Sequence, residues 1–292
     1  EGSDITVDLS GASPQVDWGG NVVYNFTYAY VHMAVKSVFD PEIPNNHGIA
    51  APIRLIAPEG TVVNCRFPAA VAARMQIGHF VTEVIYRALA QALPGRVVAA
   101  GGGTPATMQM FYGRRGDGRA FHAVLIRGGG LGASAERDGE GCFIFPANGA
   151  NTPVEILESD APLIVERREL LPDSGGPGRQ RGALGRREVF RVPHDAYAPQ
   201  APVSLALQSG RFRLPPEGLF GGAAGARAQF LVNGKPGNPY GLTQLRPGDT
   251  VVMDAAGGGG YGDPLSRSRE ALARDVREGK VSAESAKRDY GA

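Results

Sequence analysis

Residues 245–264 read LRPGDTVVMDAAGGGGYGDP. A β-branched run leads into Gly257, Gly259 and Gly262, spaced G-x-G-x-x-G, and a helical-looking stretch follows. That is the order of parts in a dinucleotide-binding turn. Such a turn needs a βαβ unit, with a second strand and an acidic residue about 20 positions on. The 30 residues after Gly262 instead read as helix, turn, helix. Asp263 also sets a negative charge at the helix start, where a pyrophosphate would have to sit. The run therefore reads as a structural turn. It would let a last strand reverse over Gly257–Gly262, with Tyr261 packed on the body and Asp263-Pro264 opening a helical tail.

Upstream of it, from about residue 166 to 263, short alternating runs are separated by Gly/Pro turns: VERREL, GRREVFRV, VSLALQSG, AQFLVNGKPG and TVVMDA. This spacing predicts antiparallel strands. Residues 1–165 are mixed. Ile5, Val7 and Leu9 alternate as in a strand. NVVYNFTYAYVHMAVKSVFDP predicts a helix with Val31, Ala34, Val35 and Val38 on one face. IRLIAPEGTVV predicts two short strands around a turn. ARMQIGHFVTEVIYRALAQALPG predicts a long helix with the stripe Phe80, Val84, Ile85, Ala88, Leu89 and Leu93. AFHAVLIRGGG reads as a strand, and GCFIFPANGANTPVEILE as another entering a turn. Two helices close the chain, one from near Ser266, the other from Ser282 as N-cap to Gly291. The expected fold class is α+β: an α/β part (1–165), a β-rich antiparallel domain (166–263) and a short helical tail (264–292).

The totals narrow the function. A formal net charge of +1 over 292 residues gives no field to draw nucleic acid or a membrane surface. No apolar run approaches the roughly 20 residues that span a bilayer. Two cysteines without C-x-x-C spacing suit buried thiols and the cytoplasm. Forty-two glycines, about twice the usual share, predict many tight turns. A strand at once, with no initiator Met, suggests that the chain begins in mid-domain.

Several motifs fall short of chemistry. GGGLGA offers Gly128, Gly130 and Ala133 in a G-x-G-x-x-A spacing, but no helix follows. Its Gly129 and Gly130 could still approach a ligand or show backbone N–H groups to an anion. PDSGGPG surrounds Ser174 as in a serine protease, yet no histidine has a matching context. The five histidines form no metal motif. His47, in the polar turn PNNHG, and His79, in ARMQIGH, are the best candidates for another role. ANGANTPVEILE is the densest polar cluster in an apolar setting. It reads either as an Asx-type turn closed by Pro153 or as a site built from Asn151, Thr152 and Glu155.

ITVDLSGASPQV, ALAQALPGRVVAA, NTPVEILE, VERRELLPDSGGPGRQRGALG, LRPGDTVVMDAAGGGGYGDP and DVREGKVSAESAKRDYG occur in that order from Ile5 to Gly291. Together they resemble the hydantoinase B / 5-oxoprolinase family, and match about the C-terminal half of its B-type subunit. Relatives include acetone and acetophenone carboxylase subunits. The resemblance implies an ATP-dependent ring-opening amidohydrolase, or else a ketone carboxylase, or a non-catalytic assembly subunit of such a complex. It implies ATP and Mg on an A-type partner subunit, which accounts for a chain without a phosphate loop. It also implies a chain supplying the N-terminal half of the B-type subunit. A divalent metal would belong to that half, so no metal ligand is assigned here. The substrate would be a small cyclic amide or ketone. Glu155 takes a base or orienting role and Asn151 a carbonyl-facing hydrogen bond, with Thr152 a further catalytic candidate. Arg74, His47, His79, Gly129 and Gly130 are substrate-contact candidates. Where relatives carry an Asn-Glu-Thr-Ser-like stretch this chain has ARMQIGH, and where they approach NTP through His/Thr-rich sequence it has FPANGA.

Overall fold

The computed structural model describes residues 4–149 and 151–292. The chain divides into two compact units, Glu1–Val97 and Val98–Ala292. The change of texture near residue 165 does not coincide with this division.

In the first unit β1 (Ile5–Asp8) pairs in parallel with β2 (Ile53–Ile56). A parallel pair needs a crossover, and α1 (Tyr24–Phe39) and α2 (His47–Ala50) lie on it. α1 buries the expected face, Val31, Ala34, Val35 and Val38, and adds Thr27. The Thr27 hydroxyl can be buried because it donates to the Val63 carbonyl at 2.6 Å. The strand expected at Thr61–Val63 is only a pair of isolated bridges from Thr61, to Pro14 and Asn64. The long helix is two pieces, α3 (Met75–Gly78) and α4 (Phe80–Ala90). α4 buries Val81, Thr82, Ile85, Tyr86 and Ala90, while Val84 is 55% exposed. The inward face is rotated from the apolar stripe because α4 packs on α1, where the Tyr86 hydroxyl meets Ser37 Oγ at 2.7 Å.

The second unit holds β3 (Thr107–Arg114), β4 (Ala120–Arg127), α5 (Val154–Asp160), β5 (Ile164–Leu170), β6 (Arg186–Arg191) and β7 (Val203–Gln208). β8 (Gln229–Val232), β9 (Lys235–Pro236), β10 (Leu242–Leu245), β11 (Thr250–Ala255), α6 (Arg269–Arg277) and α7 (Ala283–Tyr290) follow. One sheet runs β10-β7-β3-β4 and the other β5-β6-β11-β8-β9, all pairs antiparallel. Their inward residues share one core: Phe111, Phe121 and Leu125 from β3 and β4, Leu205 from β7, Phe190 from β6, Phe230 from β8, Val251 and Met253 from β11. This is the expected α+β class, with antiparallel sheets and a helical tail. Sequence before residue 165 contributes to it, since β3 pairs with β7.

Two local readings change. The expected strand in GCFIF is a single bridge between Phe143 and Gly129, and the following sequence is helical from Val154. The glycine run is no sharp turn: of Gly257–Gly262 only Gly262 has positive φ, 73°. Gly257–Gly260 instead thread between other backbone segments. Gly258 donates to Ala183 O at 2.8 Å, and its carbonyl accepts from Gly176 at 2.8 Å. A Cβ on Gly258 would lie 2.0 Å from Leu131 O, and one on Gly259 2.1 Å from Glu217 O. Glycine is required here by close approach of backbone to backbone.

The tail is fixed by local caps and one ionic cluster. The Ser268 and Ser282 side chains accept from the N–H groups of Ala271 and Ser285, and Gly291 closes α7 in the left-handed region. Arg267 bonds both Asp138 and Asp275 at 2.7 Å, and Arg181 reaches Asp275 at 3.1 Å. Two guanidiniums face two carboxylates, so this buried cluster is charge-balanced. Among the described residues no helix is long and apolar enough to cross a membrane.

Candidate functional site

The core of the second unit ends in a polar layer. Along the inward face of β3, Phe111 gives way to Gln109 and Thr107. Along β4, Leu125 gives way to Arg127, and along β6, Phe190 to Glu188 and Arg186. Glu188 is 2% exposed and joins the sheets: Arg127 Nε lies 3.0 Å from Oε2, and Arg168 Nε of β5 lies 2.8 Å from Oε1. Arg186 Nη2 stands 3.9 Å from Oε2. Thr107 and Ser209 pair through their hydroxyls at 2.8 Å. Burial pushes the Arg127 guanidinium down to about 10. Glu188 opposes that shift, and the charges of Arg168 and Arg186 add to it.

This layer holds the Asn151–Thr152 turn. Arg186 Nη1 donates to Asn151 Oδ1 at 2.7 Å, and Arg168 Nη1 donates to Thr152 O at 3.1 Å. A guanidinium only donates, so the contact fixes Asn151 with its Oδ1 inward and its Nδ2 donors turned elsewhere. Asn151 is exposed and Thr152 half-buried. Pro153 then starts α5, which puts Glu155 in the first turn of a helix, exposed. The polar cluster is thus held from beneath by two arginines.

Each of the other sequence candidates has its own surroundings. Gly129 and Gly130 are buried. Gly130 donates to Ala256 O at 3.0 Å, Gly129 O accepts from Phe143 at 3.0 Å, and a Cβ on Gly130 would lie 2.4 Å from Ala183 O. Arg74, His47 and His79 belong to the first unit. His47 opens α2 and is exposed. His79 is fully buried, 5.2 Å from the Tyr30 ring and 6.3 Å from the Phe26 ring. Burial, helped by Arg74, lowers its pKa to about 4, so it is neutral at pH 7. Arg74 lies over the Phe26 ring at 5.5 Å. Ser174 is a structural pin: its hydroxyl donates to Leu171 O at 2.5 Å and accepts from Gly185 N at 2.7 Å.

Among the described residues no three His, Cys, Asp or Glu side chains come together to hold a metal. A recess of about 650 Å³ lies beyond the far end of α5, lined by Arg115, Asp117, Arg119, Glu158, Leu163 and Tyr197. Its charges are spent locally: Arg119 pairs with Asp117 at 2.7 Å, and Arg115 donates to Ser159 O at 2.8 Å. It offers no convergent set like that around Glu188.

Sequence reading missed Arg127, Arg168, Arg186, Glu188 and Gln109. The available signal was phase. In AFHAVLIR and RREVFR these charges fall on the same alternate positions as Leu125 and Phe190, the positions that a strand turns inward.

The sequence profile of the hydantoinase B/oxoprolinase family matches residues 1–264. The chain belongs to this family. It is 31% identical, over its whole length and half of the relative's, to the B subunit of a putative D-/L-hydantoinase from Pseudomonas sp. strain NS671. It is 29% identical to the beta subunit of the caprolactamase from Pseudomonas jessenii, over 97% of this chain and 50% of that one. The crystal structure of the ATP-dependent caprolactamase from Pseudomonas jessenii superposes on all of the chain and 52% of its own, with a TM-score of 0.84 at 24% identity, and so shares the fold. The chain spans about half the length of these relatives.

Proposed function

We propose that this hydantoinase B family chain works in the cytoplasm as part of the B-type subunit of an ATP-dependent ring-opening amidohydrolase. The observation that carries this reading is the match of nearly the whole chain to two relatives named for cyclic amides, the B subunit of a hydantoinase and the beta subunit of a caprolactamase. ATP and Mg would sit on an A-type partner, and a divalent metal on the half of the subunit that this chain does not cover. Phosphoryl transfer would activate the amide oxygen before water opens the ring.

In this reading the Asn151–Glu155 turn faces the reacting carbonyl. Arg186 fixes Asn151 so that its Nδ2 donates to the substrate oxygen as charge develops there. Glu155 accepts a proton from the attacking water or orients it. Arg168 holds the Thr152 carbonyl and keeps the turn in place. Separately, Arg74 and His47 of the first unit, both exposed, are proposed as substrate contacts. The test is turnover of the assembled complex. Glu155→Gln is expected to lower it by about 100-fold or more, and Asn151→Ala by a similar factor. Unchanged turnover in both variants would remove this turn from the reaction.

A further inference from the structure

The layer around Glu188 is unbalanced: three guanidiniums converge on one carboxylate. Arg127, Arg186 and Glu188 are 1%, 3% and 2% exposed. The ionic cluster of the tail, with two arginines and two aspartates, shows what this chain does where charge is only structural. Here two positive charges have no counter-charge among the described residues. Donors are also in excess. Arg127 Nη1 and Nη2, Arg168 Nη2 and Arg186 Nε are buried and make no hydrogen bond, while Arg127 Nε, Arg168 Nε and Arg186 Nη2 are the atoms that stand nearest Glu188. Both polar atoms of the Gln109 side chain are likewise buried and make no hydrogen bond. Gln109 sits diagonally from Arg127, because Thr107 pairs with Arg127 and Gln109 with Leu125. Buried polar groups are normally paired, and an uncompensated buried charge is strongly unfavourable.

We infer that Arg127, Arg168 and Arg186 form a binding site for a small oxyanion, a carboxylate or a phosphate, at the polar end of the sandwich core. The chemistry of recognition is the same for both: planar forks of N–H donors meet two or three oxygens that share negative charge. A phosphate would offset about both excess charges and a carboxylate one of them, either would meet guanidinium nitrogens that Glu188 leaves over, and the Gln109 amide would add a neutral donor. The way in is marked by exposure, which rises from Arg127 (1%) to Arg168 (23%) and then to the exposed Asn151. The bound anion would lie under the turn that Arg168 and Arg186 hold. This site stands on charge and geometry and does not depend on the reaction proposed above.

The test is thermal unfolding of the purified protein in inorganic phosphate, in acetate and in chloride at matched ionic strength. Phosphate or acetate is expected to raise the midpoint saturably. The shift would be on the order of 3–5 °C at ten times the dissociation constant, where binding favours the folded state about elevenfold. A larger response to phosphate assigns the site to a phosphate, and a larger response to acetate to a carboxylate. Arg127→Met should abolish the response. Arg168→Met, at the partly exposed edge, should weaken it and gives a second reading if the first variant does not fold. Equal midpoints in all three salts would overturn the proposal, as would a full response in Arg168→Met.

Discussion

His79 shows how one residue couples packing to pH. Its ring is buried against Phe26 and Tyr30, and its pKa falls from 6.5 to about 4. Between those values the unfolded chain binds a proton that the folded one refuses. The associated stability is therefore complete above about pH 6.5 and declines as pH falls toward 4, by up to about 3 kcal/mol. Denaturant unfolding across this range should show the decline in the native protein and a flatter profile in His79→Gln. Equal profiles would mean that the ring is not held neutral. His79 was legible as an unusual histidine, since it follows a glycine ahead of an amphipathic run. Its aromatic neighbours come from α1, some fifty residues earlier, and no local pattern shows that contact. Arg127 was less legible still. Its strand reads clearly, but one inward arginine gains meaning only when Arg168 and Arg186 arrive from two other strands.

At the scale of elements, local chemistry was the readable part. Ser282 and Gly291 bound α7 as their capping preferences require, and Ser282→Ala should cost about 1 kcal/mol in a denaturant melt. The alternating runs after residue 165 became strands because a half-buried strand imposes period two on its own residues. Two features depended on distant partners. The buried face of α4 is set by α1, so the apolar stripe pointed to Val84, which is exposed. The GGGG run looked like a turn, and its cause lies in the segments around Leu131, Ser174, Ala183 and Glu217 that press on it. Gly258→Ala would force a methyl group to 2.0 Å from Leu131 O. It is expected to destabilise the unit by several kcal/mol, or to prevent folding, because both sides of the contact are backbone. A native-like melting midpoint in Gly258→Ala would show that this backbone packing gives way easily.

For the whole molecule, family membership places the chain among proteins about twice its length. This chain supplies two units, an antiparallel sandwich with a charged end and a capped helical tail. In the proposed reading, the polar end of the sandwich and the Asn151–Glu155 segment are where the chain would meet a substrate. The most direct measurement of the central claim is nucleotide consumption by the assembled complex. It would be offered a hydantoin or a lactam in one arm and a ketone with bicarbonate in the other. The account predicts ADP formation in step with ring opening, without bicarbonate. ADP formation that appears only with the ketone and bicarbonate would contradict it.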